Sequence, residues 1–417
     1  MGETAAVPPA GAAGLGFLRE EPAFARQWAG YVAAALGSQA GWIALIWLAI
    51  RLTGSAATVG VVTLAYVAPQ ALCAPLAGAV LDRYPRARAM ALANLGASLL
   101  FAAIAALGGG RGPGAMATLY PLIVLAGALV PFNSAGRIAL VAEIVPEGLT
   151  ARANFVMQGG GQLAILIGPA IGGALVALAG PRPLLWADAA TFALQAAALV
   201  TVAARRPAAV RPPESGPAAL GAGFSYVLAR PALIAFALME VLFNFLYGPF
   251  EVLLPDMAKS ALGGAWALGA MWSAFGVGSV AAALVFAARP WPLRPSRSFP
   301  LIVILWALVA LTMSRVGGIV EACAVMLVGG AIYSPWAAVY ATVLQTAVPT
   351  RLQARVAGAL SALITGGMPA GALCAGLVLS AVPGRTVFAL SGAATLALGL
   401  AVLALPALRG LDAKAGA

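Results

Sequence analysis

One apolar stretch, predicted as a helix over residues 230–253, contains four polar residues whose types suit proton transfer. Steps of four, three and four place them on one helical face, and they are Glu240, Asn244, Tyr247 and Glu251. Glu240 lies near the middle of the stretch, where an apolar environment disfavours a charged carboxylate. Such a group can bind a proton from one side of a barrier and release it on the other. The alternative is a protonated glutamate that hydrogen-bonds a neighbouring helix for structure. Glu251 lies near the end of the stretch, where we expect it to be solvated.

A second polar face lies in the apolar stretch over residues 184–204. Asp188, Thr191 and Gln195 follow one another at steps of three and four, which again defines one side of a helix. We expect Asp188 near the end of this helix, close to the surface. It is the second candidate for carrying a proton.

Amide and aromatic side chains in the apolar stretches could line a cavity for a bulky, mostly apolar ligand with a few hydrogen-bonding atoms. The candidates are Gln39, Trp42, Asn133, Gln158, Gln162, Asn244, Tyr247, Tyr333 and Trp336. For each aromatic residue, packing in the core or at a lipid interface is the alternative.

The elements that hold these residues belong to a membrane protein. Of 417 residues, 62% are hydrophobic and only 9% are charged, and the mean hydropathy is +0.97. A soluble domain carries about 25% charged residues, so soluble, disordered and collagen-like chains are excluded. The chain has no His, and Cys73, Cys323 and Cys374 stand far apart in apolar runs, where we expect small buried hydrophobic residues. The sequence therefore predicts no metal site and no cofactor. The absence of a Gly-rich phosphate loop with Lys-Ser/Thr argues against ATP as the energy source.

Twelve apolar runs are long enough to cross a bilayer, which needs about 20 residues per helix. They lie near 27–50, 57–81, 88–108, 116–138, 153–179, 184–204, 230–253, 263–288, 299–314, 319–344, 355–380 and 385–408. The sequence therefore predicts an all-α membrane protein with twelve transmembrane helices.

Basic residues in the short loops predict the orientation of these helices. Most of the 24 Lys and Arg residues fall on the side of the N-terminus, and cytoplasmic loops are the ones enriched in Lys and Arg. Both termini are therefore predicted to be cytoplasmic, in the inner (cytoplasmic) membrane of a bacterium. Because the basic residues are dispersed over several loops, the net charge of +11 does not indicate a nucleic-acid partner.

The chain is predicted to consist of two halves of six helices each. The longest polar, Pro-rich interior stretch follows the sixth apolar run, which gives a first half over 1–204, a cytoplasmic linker over 205–222 and a second half over 223–417. Val145-Pro146, Leu149 and Arg152 recur 203 residues later as Val348-Pro349, Leu352 and Arg355. The constant offset indicates duplicated halves in parallel orientation.

The loop after the second apolar run combines a glycine, an aspartate and several arginines. Residues 78–88 read Gly-Ala-Val-Leu-Asp-Arg-Tyr-Pro-Arg-Ala-Arg, which resembles the signature between helices 2 and 3 of the major facilitator superfamily. Close packing through the glycine and a charged latch at the cytoplasmic edge are expected, and a basic loop that only sets topology is the alternative. Arg137 either pairs with Asp82 or Glu143 in this gate or extends to the lipid head groups. The gate residues are Gly78, Asp82, Arg83, Arg86, Arg88, Arg137 and Glu143.

The fifth apolar run contains Gly168, Pro169, Gly172 and Gly173. This group resembles the antiporter motif on helix 5 in the drug-efflux branch of the superfamily, with Ala164 where glycine is commoner. Proline bends the helix, and the glycines allow close packing where the two halves meet. A generic small-residue packing face is the alternative.

Further segments, over 52–55, 75–78, 145–154 and 253–255, resemble the drug:proton antiporter group that includes macrolide and enterobactin exporters. The loop over 289–297 departs from the pattern, because it keeps arginines but lacks the aspartate of the first-half signature. The resemblance implies the major facilitator fold, usually as a monomer, with helices 1, 4, 7 and 10 around a central cavity.

The activity it implies is proton-coupled efflux of an amphipathic small molecule (drug, antibiotic, siderophore or other natural product) by alternating access. An importer or facilitator of another solute is the alternative, and a membrane-embedded enzyme or scaffold is a remote one.

Overall fold

The computed structural model describes residues 17–412 except 56, 111–112, 147–148, 204–216, 289–293, 350–351 and 380. The described residues contain twelve helical segments that are long and apolar enough to cross a membrane. The predicted all-α membrane architecture is therefore confirmed.

In the first half, the described residues form seven α-helices, of which six are long and apolar enough to cross the membrane. They are α1 (Phe17–Glu20), α2 (Pro22–Thr53), α3 (Ala57–Arg83), α4 (Arg86–Leu107), α5 (Pro113–Ile144), α6 (Thr150–Ala179) and α7 (Pro181–Ala203). Helices α2 to α7 are spans 1 to 6, and we call them the N-half.

In the second half, the part of the chain that the structure describes forms ten α-helices and a closing 3-10 helix over Pro406–Leu411. They are α8 (Pro217–Leu228), α9 (Pro231–Tyr247), α10 (Pro249–Ser260), α11 (Ala265–Ala288), α12 (Pro295–Met313), α13 (Ile319–Tyr333), α14 (Trp336–Ala347), α15 (Gln353–Ile364), α16 (Gly367–Val378) and α17 (Gly384–Leu403). Helices α9 to α17 form spans 7 to 12 and are called the C-half. Most of the predicted linker over 205–222 lies outside the described residues, and its last six residues belong to α8.

Spans 7, 10 and 11 each consist of two helices. Span 7 is interrupted at Gly248, directly before Pro249, whose missing N–H weakens the helical ladder. Gly248 keeps helical dihedrals of φ −48° and ψ −38°, so the polar face predicted for this span continues from α9 into α10.

The two halves pack their helices in the same pattern. In the N-half, span 1 packs on spans 5 and 6, span 2 on span 4, and span 3 on span 6. In the C-half, span 7 packs on spans 11 and 12, span 8 on span 10, and span 9 on span 12. Every pair is shifted by six spans, as expected for a duplicated unit.

The 203-residue internal offset is visible in the backbone as well. Leu149 caps α6 with φ −107° and ψ −5°, and Leu352 caps α15 with φ −111° and ψ −9°. Each leucine donates its N–H to the carbonyl of the proline three residues earlier, at 2.9 Å and 2.8 Å. The equivalent positions of the two halves therefore begin a span with the same turn.

Both described ends of the chain lie on one side of the bundle, because the number of spans is even. We call the side where α2 begins the terminal side and the opposite side the distal side. The halves meet through α6 with α11 and through α3 with α16.

Two glycines on one face of α3 reveal how the halves are arranged. Gly60 and Gly78 are separated by five turns of 3.6 residues, with Gly60 near the distal end and Gly78 near the terminal end. A Cβ atom on Gly60 would lie 2.5 Å from the Ala372 carbonyl oxygen of α16, whereas one on Gly78 would have no described neighbour within 4 Å. The halves are thus in contact at the distal end of this face and apart at its terminal end. The close packing predicted for Gly78 is wrong in this conformation.

Candidate functional site

Glu240 is buried in the C-half, with 1% of its surface exposed. It lies in α9, and its neighbour one turn on, Asn244, donates to the Glu240 backbone carbonyl at 2.9 Å and to Oε2 at 3.4 Å. Within the described part of the chain, Oε1 has no hydrogen-bond partner. The site thus holds a carboxyl group away from water with one oxygen unpaired, which costs free energy unless that group carries a proton or gains a partner.

Aromatic rings from three spans surround this face of α9. Tyr247 stacks on Trp306 of span 9 with ring centroids 5.1 Å apart, and Phe243 stacks on Trp336 of span 10 at 4.5 Å. Tyr333 lies parallel to Trp336 at 5.7 Å and is near enough to Glu240 to interact with its charge. One aromatic cluster therefore brings together the predicted candidates Tyr247, Tyr333 and Trp336. It lies on the face of α9 that carries Glu240 and the fourth candidate, Asn244. Trp336 itself is only 8% exposed and forms part of the C-half core.

Glu251 is buried, which contradicts the expectation that it is solvated. It is 8% exposed and lies in α10, and the Trp42 indole of α2 lies beside its carboxyl group. Because Trp42 belongs to span 1 and Glu251 to span 7, this contact joins the two halves. A depth estimate along one span could not reveal a partner that another half supplies.

A second contact joins the halves at the distal side. The Lys259 ammonium group donates to the backbone carbonyl of Gly54 at 2.6 Å. Gly54 caps the C-terminus of α2 in the left-handed conformation, with φ 74°. A cation at this position is favourable because a helix C-terminus carries partial negative charge. We call the pairs Trp42–Glu251 and Lys259–Gly54 the distal contacts.

Asp188 is fully buried between spans 1 and 6 rather than close to the surface. Its carboxylate lies against Gly37 and Gly41 of α2, where any side chain would collide with it. Thr191 donates to the Asp188 backbone carbonyl at 2.7 Å, and within the described residues Oδ2 has no partner. Asp188 is therefore a second buried carboxyl group, separate from the aromatic cluster.

Asn133 and Arg137 line a cavity whose described lining belongs entirely to the N-half. Asn133 accepts a hydrogen bond from Asn94 at 2.7 Å, and the Arg137 guanidinium lies 4.7 Å from the ring centroid of Tyr31. Arg137 does not pair with Glu143, which instead forms an ion pair with Arg86. The other predicted partner, Asp82, has its side chain outside the described residues, so a role of Arg137 in the gate stays a prediction.

The remaining gate residues lie at the terminal side. The Arg86–Glu143 pair links the start of α4 to the end of α5. Arg83 and Arg88 are exposed, with Arg83 over the ring of Tyr84 at 5.9 Å. Asp82 belongs to α3, but its side chain lies outside the described part of the chain.

The glycines predicted on helix 5 pack against two different spans. Gly168 and Gly172 face Gln39 and Ala40 of α2 in the same half. A Cβ atom on Gly173 would lie 2.7 Å from the Ala265 carbonyl oxygen and 2.8 Å from the Gly269 Cα of α11, in the other half. The carbonyl of Pro169 in turn faces Gly269. This motif therefore allows the backbone of α6 to pack directly against α2 of its own half and against α11 of the C-half.

Replacing Gly173 by valine is expected to destabilise the protein, because the new side chain has no space between α6 and α11. Overpacking of this kind costs about 1–3 kcal/mol. Gly159→Val in the same helix is the matched control, since a Cβ there meets no described atom within 4 Å. The unfolding temperature in detergent should fall clearly for Gly173→Val and less for Gly159→Val. Equal changes would contradict the close contact of the halves at Gly173.

The other predicted cavity residues lie on spans 1 and 5. Gln39 is half-buried against α6, whereas Gln158 and Gln162 are exposed on α6. Three residues that the predictions did not include also belong to the polar interior: Tyr66, Gln27 and Trp306. Trp42 lies 5.4 Å from the Tyr66 ring, and Gln27 is fully buried. The only sequence signal for these three residues is that a polar or aromatic side chain occurs within an apolar run.

The sequence matches one family model over most of its length. The Major Facilitator Superfamily model covers residues 28–372, from span 1 into span 11. Two solved structures share the fold: a POT family transporter in complex with 5-aminolevulinic acid (TM-score 0.73, 10% identity, 92% of this chain and 96% of that chain) and the nucleoside transporter NupG (TM-score 0.72, 14% identity, 92% and 98%).

Curated relatives match almost end to end. The multidrug efflux pump Tap of Mycobacterium bovis (strain BCG / Pasteur 1173P2) is 29% identical over 406 residues, covering 94% of this chain and 95% of the relative. A protein of the same name from Mycolicibacterium fortuitum is 28% identical over 383 residues, covering 89% and 92%. The family match, the twelve spans and the paired halves agree with the predicted fold and transporter class. This chain belongs to the major facilitator superfamily of membrane transporters.

Proposed function

We propose that this transporter is a proton-coupled exporter of amphipathic small molecules that works by alternating access. The observation that carries the proposal is the buried Glu240, whose carboxyl group has one oxygen without a described partner and lies among aromatic rings. The end-to-end similarity to proteins named multidrug efflux pumps supports the direction of transport and the class of substrate.

The aromatic cluster gives the site its substrate chemistry. The half-buried rings of Tyr247 and Tyr333 offer apolar faces and polar edges, which suit an amphipathic molecule with few hydrogen-bonding atoms. Proton binding at Glu240 removes a charge from this environment, and proton release restores it. Substrate binding and proton binding therefore influence each other through the same site.

The free energy released when one proton crosses the membrane is sufficient to drive export of the substrate. A potential of about 150 mV supplies about 3.5 kcal/mol per proton, since about 100 mV is worth about 2.3 kcal/mol per charge. That free energy supports a gradient of roughly several hundred-fold for a neutral substrate. No ATP is required.

We place the protein as a monomer in the inner membrane, with both termini in the cytoplasm. The excess of basic residues in loops on the terminal side supports this orientation. The terminal side is then cytoplasmic, and the distal contacts close the pathway towards the outside. Alternating access requires that these contacts break when the cytoplasmic side closes.

The test is uptake of ethidium by proteoliposomes across an imposed pH gradient. An antiporter takes up ethidium when the lumen is acidic, because protons leaving the lumen drive substrate inwards. Nigericin with potassium, which collapses the gradient, should abolish the uptake. Uptake that requires an alkaline lumen would identify a symporter. Uptake that does not depend on the pH gradient would identify a facilitator. Either outcome would overturn the proposal.

A further inference from the structure

The N-half contains a cavity that the aromatic cluster does not include. Its volume is about 180 Å³, and it lies among α2, α3, α4, α5 and α7, inside one half rather than between the two. We call it the N-half cavity. Its polar lining consists of Gln27, Tyr31, Ser38, Tyr66, Asn94, Asn133, Arg137 and Gln195.

Two buried amides in this lining have unused hydrogen-bonding capacity. Gln27 and Gln195 are 0% and 3% exposed, and Gln195 donates to Gln27 Oε1 at 3.3 Å. Within the described residues, Nε2 of Gln27 and Oε1 of Gln195 have no partner. Both unpaired atoms are buried, and Gln195 Oε1 lies against Gly30 of α2. The donors that a ligand in the cavity can reach therefore include the half-buried side chains of Asn133 and Arg137.

The described lining of the cavity carries one positive charge and no negative one. Arg137 packs on the Tyr31 ring, and none of the described residues that line the cavity is acidic. Asp188 is the buried carboxylate of this half, but its oxygens lie against Gly37 and Gly41. The wall therefore combines one cation with several N–H and O–H donors.

This chemistry excludes most ligands and favours one. A metal ion would lack anionic ligands, because hard cations are bound mainly through carboxylate oxygens and no described residue of the lining carries one. Water fills polar cavities but leaves the guanidinium charge uncompensated. A carboxylate offers two oxygens that match the planar donor pair of an arginine and can accept a further bond from Asn133. The volume equals that of about six waters at roughly 30 Å³ each, which is enough for a small aromatic acid.

We propose that the N-half cavity binds the carboxylate group of a small organic acid, with Arg137 as its ionic partner. The proposal of a binding site depends only on the residues that line the cavity. That the bound acid is a transported molecule, or the acidic end of one, rests on the proposed function. The aromatic cluster and the N-half cavity are then two subsites, one for rings and one for an acid.

Benzoate and benzamide are the probes that test this proposal, because they differ in charge and hardly in shape. Binding of each radiolabelled compound to the purified full-length protein in detergent is measured by equilibrium dialysis. Benzoate should bind saturably, at least about tenfold more tightly than benzamide. Arg137→Gln should weaken benzoate binding at least about tenfold and leave benzamide binding unchanged, since only the charged pair is lost. Arg137→Lys, which keeps the charge, should weaken benzoate binding less than Arg137→Gln.

Arg230→Gln is the matched control, because Arg230 also lies over a tyrosine ring, at 3.5 Å from Tyr226, but is exposed outside the cavity. It should leave benzoate binding unchanged. Size-exclusion profiles establish that each variant is folded. The proposal is overturned if benzoate does not bind saturably up to about 10 mM, if benzamide binds equally well, or if Arg137→Gln has no effect. Because binding in detergent needs neither a gradient nor a direction, such a failure is independent of the ethidium experiment.

Discussion

Glu240→Gln is expected to reduce pH-driven ethidium uptake by proteoliposomes to the rate of protein-free liposomes. Glutamine has nearly the shape of a protonated glutamate, but it cannot release a proton. The variant should therefore still bind substrate and change conformation, and exchange of ethidium across the membrane at equal pH should continue. The loss of pH-driven uptake with retained exchange distinguishes a proton carrier from a residue that only stabilises the helix bundle.

Glu321→Gln is the matched control for this experiment. Glu321 is also a glutamate of the C-half, but it is exposed at the start of α13, where it accepts a hydrogen bond from the Gly317 N–H at 2.8 Å. Neutralising it should leave pH-driven uptake unchanged. Full pH-driven uptake by Glu240→Gln would exclude Glu240 as the proton carrier, and Asp188 and Glu251 would then be the next carboxyl groups to test.

The number and position of the spans could be predicted from sequence because the bilayer imposes one requirement on each of them. A run of about 20 apolar residues satisfies its backbone internally only as a helix. The interruptions within spans could not be predicted in this way. Pro69 and Pro169 lie inside continuous helices, whereas Pro249 and Pro335 stand where spans 7 and 10 divide. Packing against neighbouring spans, which no local pattern contains, decides between the two outcomes.

The polar face of span 7 was predictable for a similar reason, since helical periodicity alone aligns Glu240 with Asn244. The neighbours that other spans supply to a residue could not be predicted in this way. The depth of Glu251 along the span predicts a solvated side chain, yet it is 8% exposed and lies beside Trp42 of the other half. The position of Arg137 near a helix end predicts a gate residue, and no local pattern predicts that its guanidinium lies over the Tyr31 ring. Sequence reasoning therefore identified residues whose types matter and misjudged those whose partners come from distant spans.

Trp42→Phe is expected to shift the protein towards a conformation that is open on the distal side. Phenylalanine keeps an aromatic ring but loses the indole N–H, so the buried Glu251 carboxyl group loses the polar neighbour that the other half supplies. Leaving a buried polar group unpaired costs about 1–3 kcal/mol, and this cost applies only while the distal contacts are closed. Since about 1.4 kcal/mol changes an equilibrium tenfold, the distal-open population should rise about five-fold or more.

The shift can be measured as a distance distribution between two spin labels, one on each half. Leu178 and Val320 are suitable positions, because they lie near distal helix ends and are 84% and 79% exposed. Their cysteine variants require a background without the free thiols of Cys73, Cys323 and Cys374. In this background, Trp42→Phe should increase the fraction of the longer distance.

Trp28→Phe is the control that separates a conformational effect from a loss of stability. Trp28 lies in the same helix and also donates through its indole N–H, to the Val156 carbonyl at 3.0 Å, but both residues belong to the N-half. Its loss should lower the unfolding temperature and leave the distance distribution unchanged, because the bond exists whichever side is open. If both tryptophan variants shift the distribution equally, or neither does, Trp42 does not hold the halves together. If only Trp42→Phe shifts it, the contact between Trp42 and Glu251 is one of those that must break in each transport cycle.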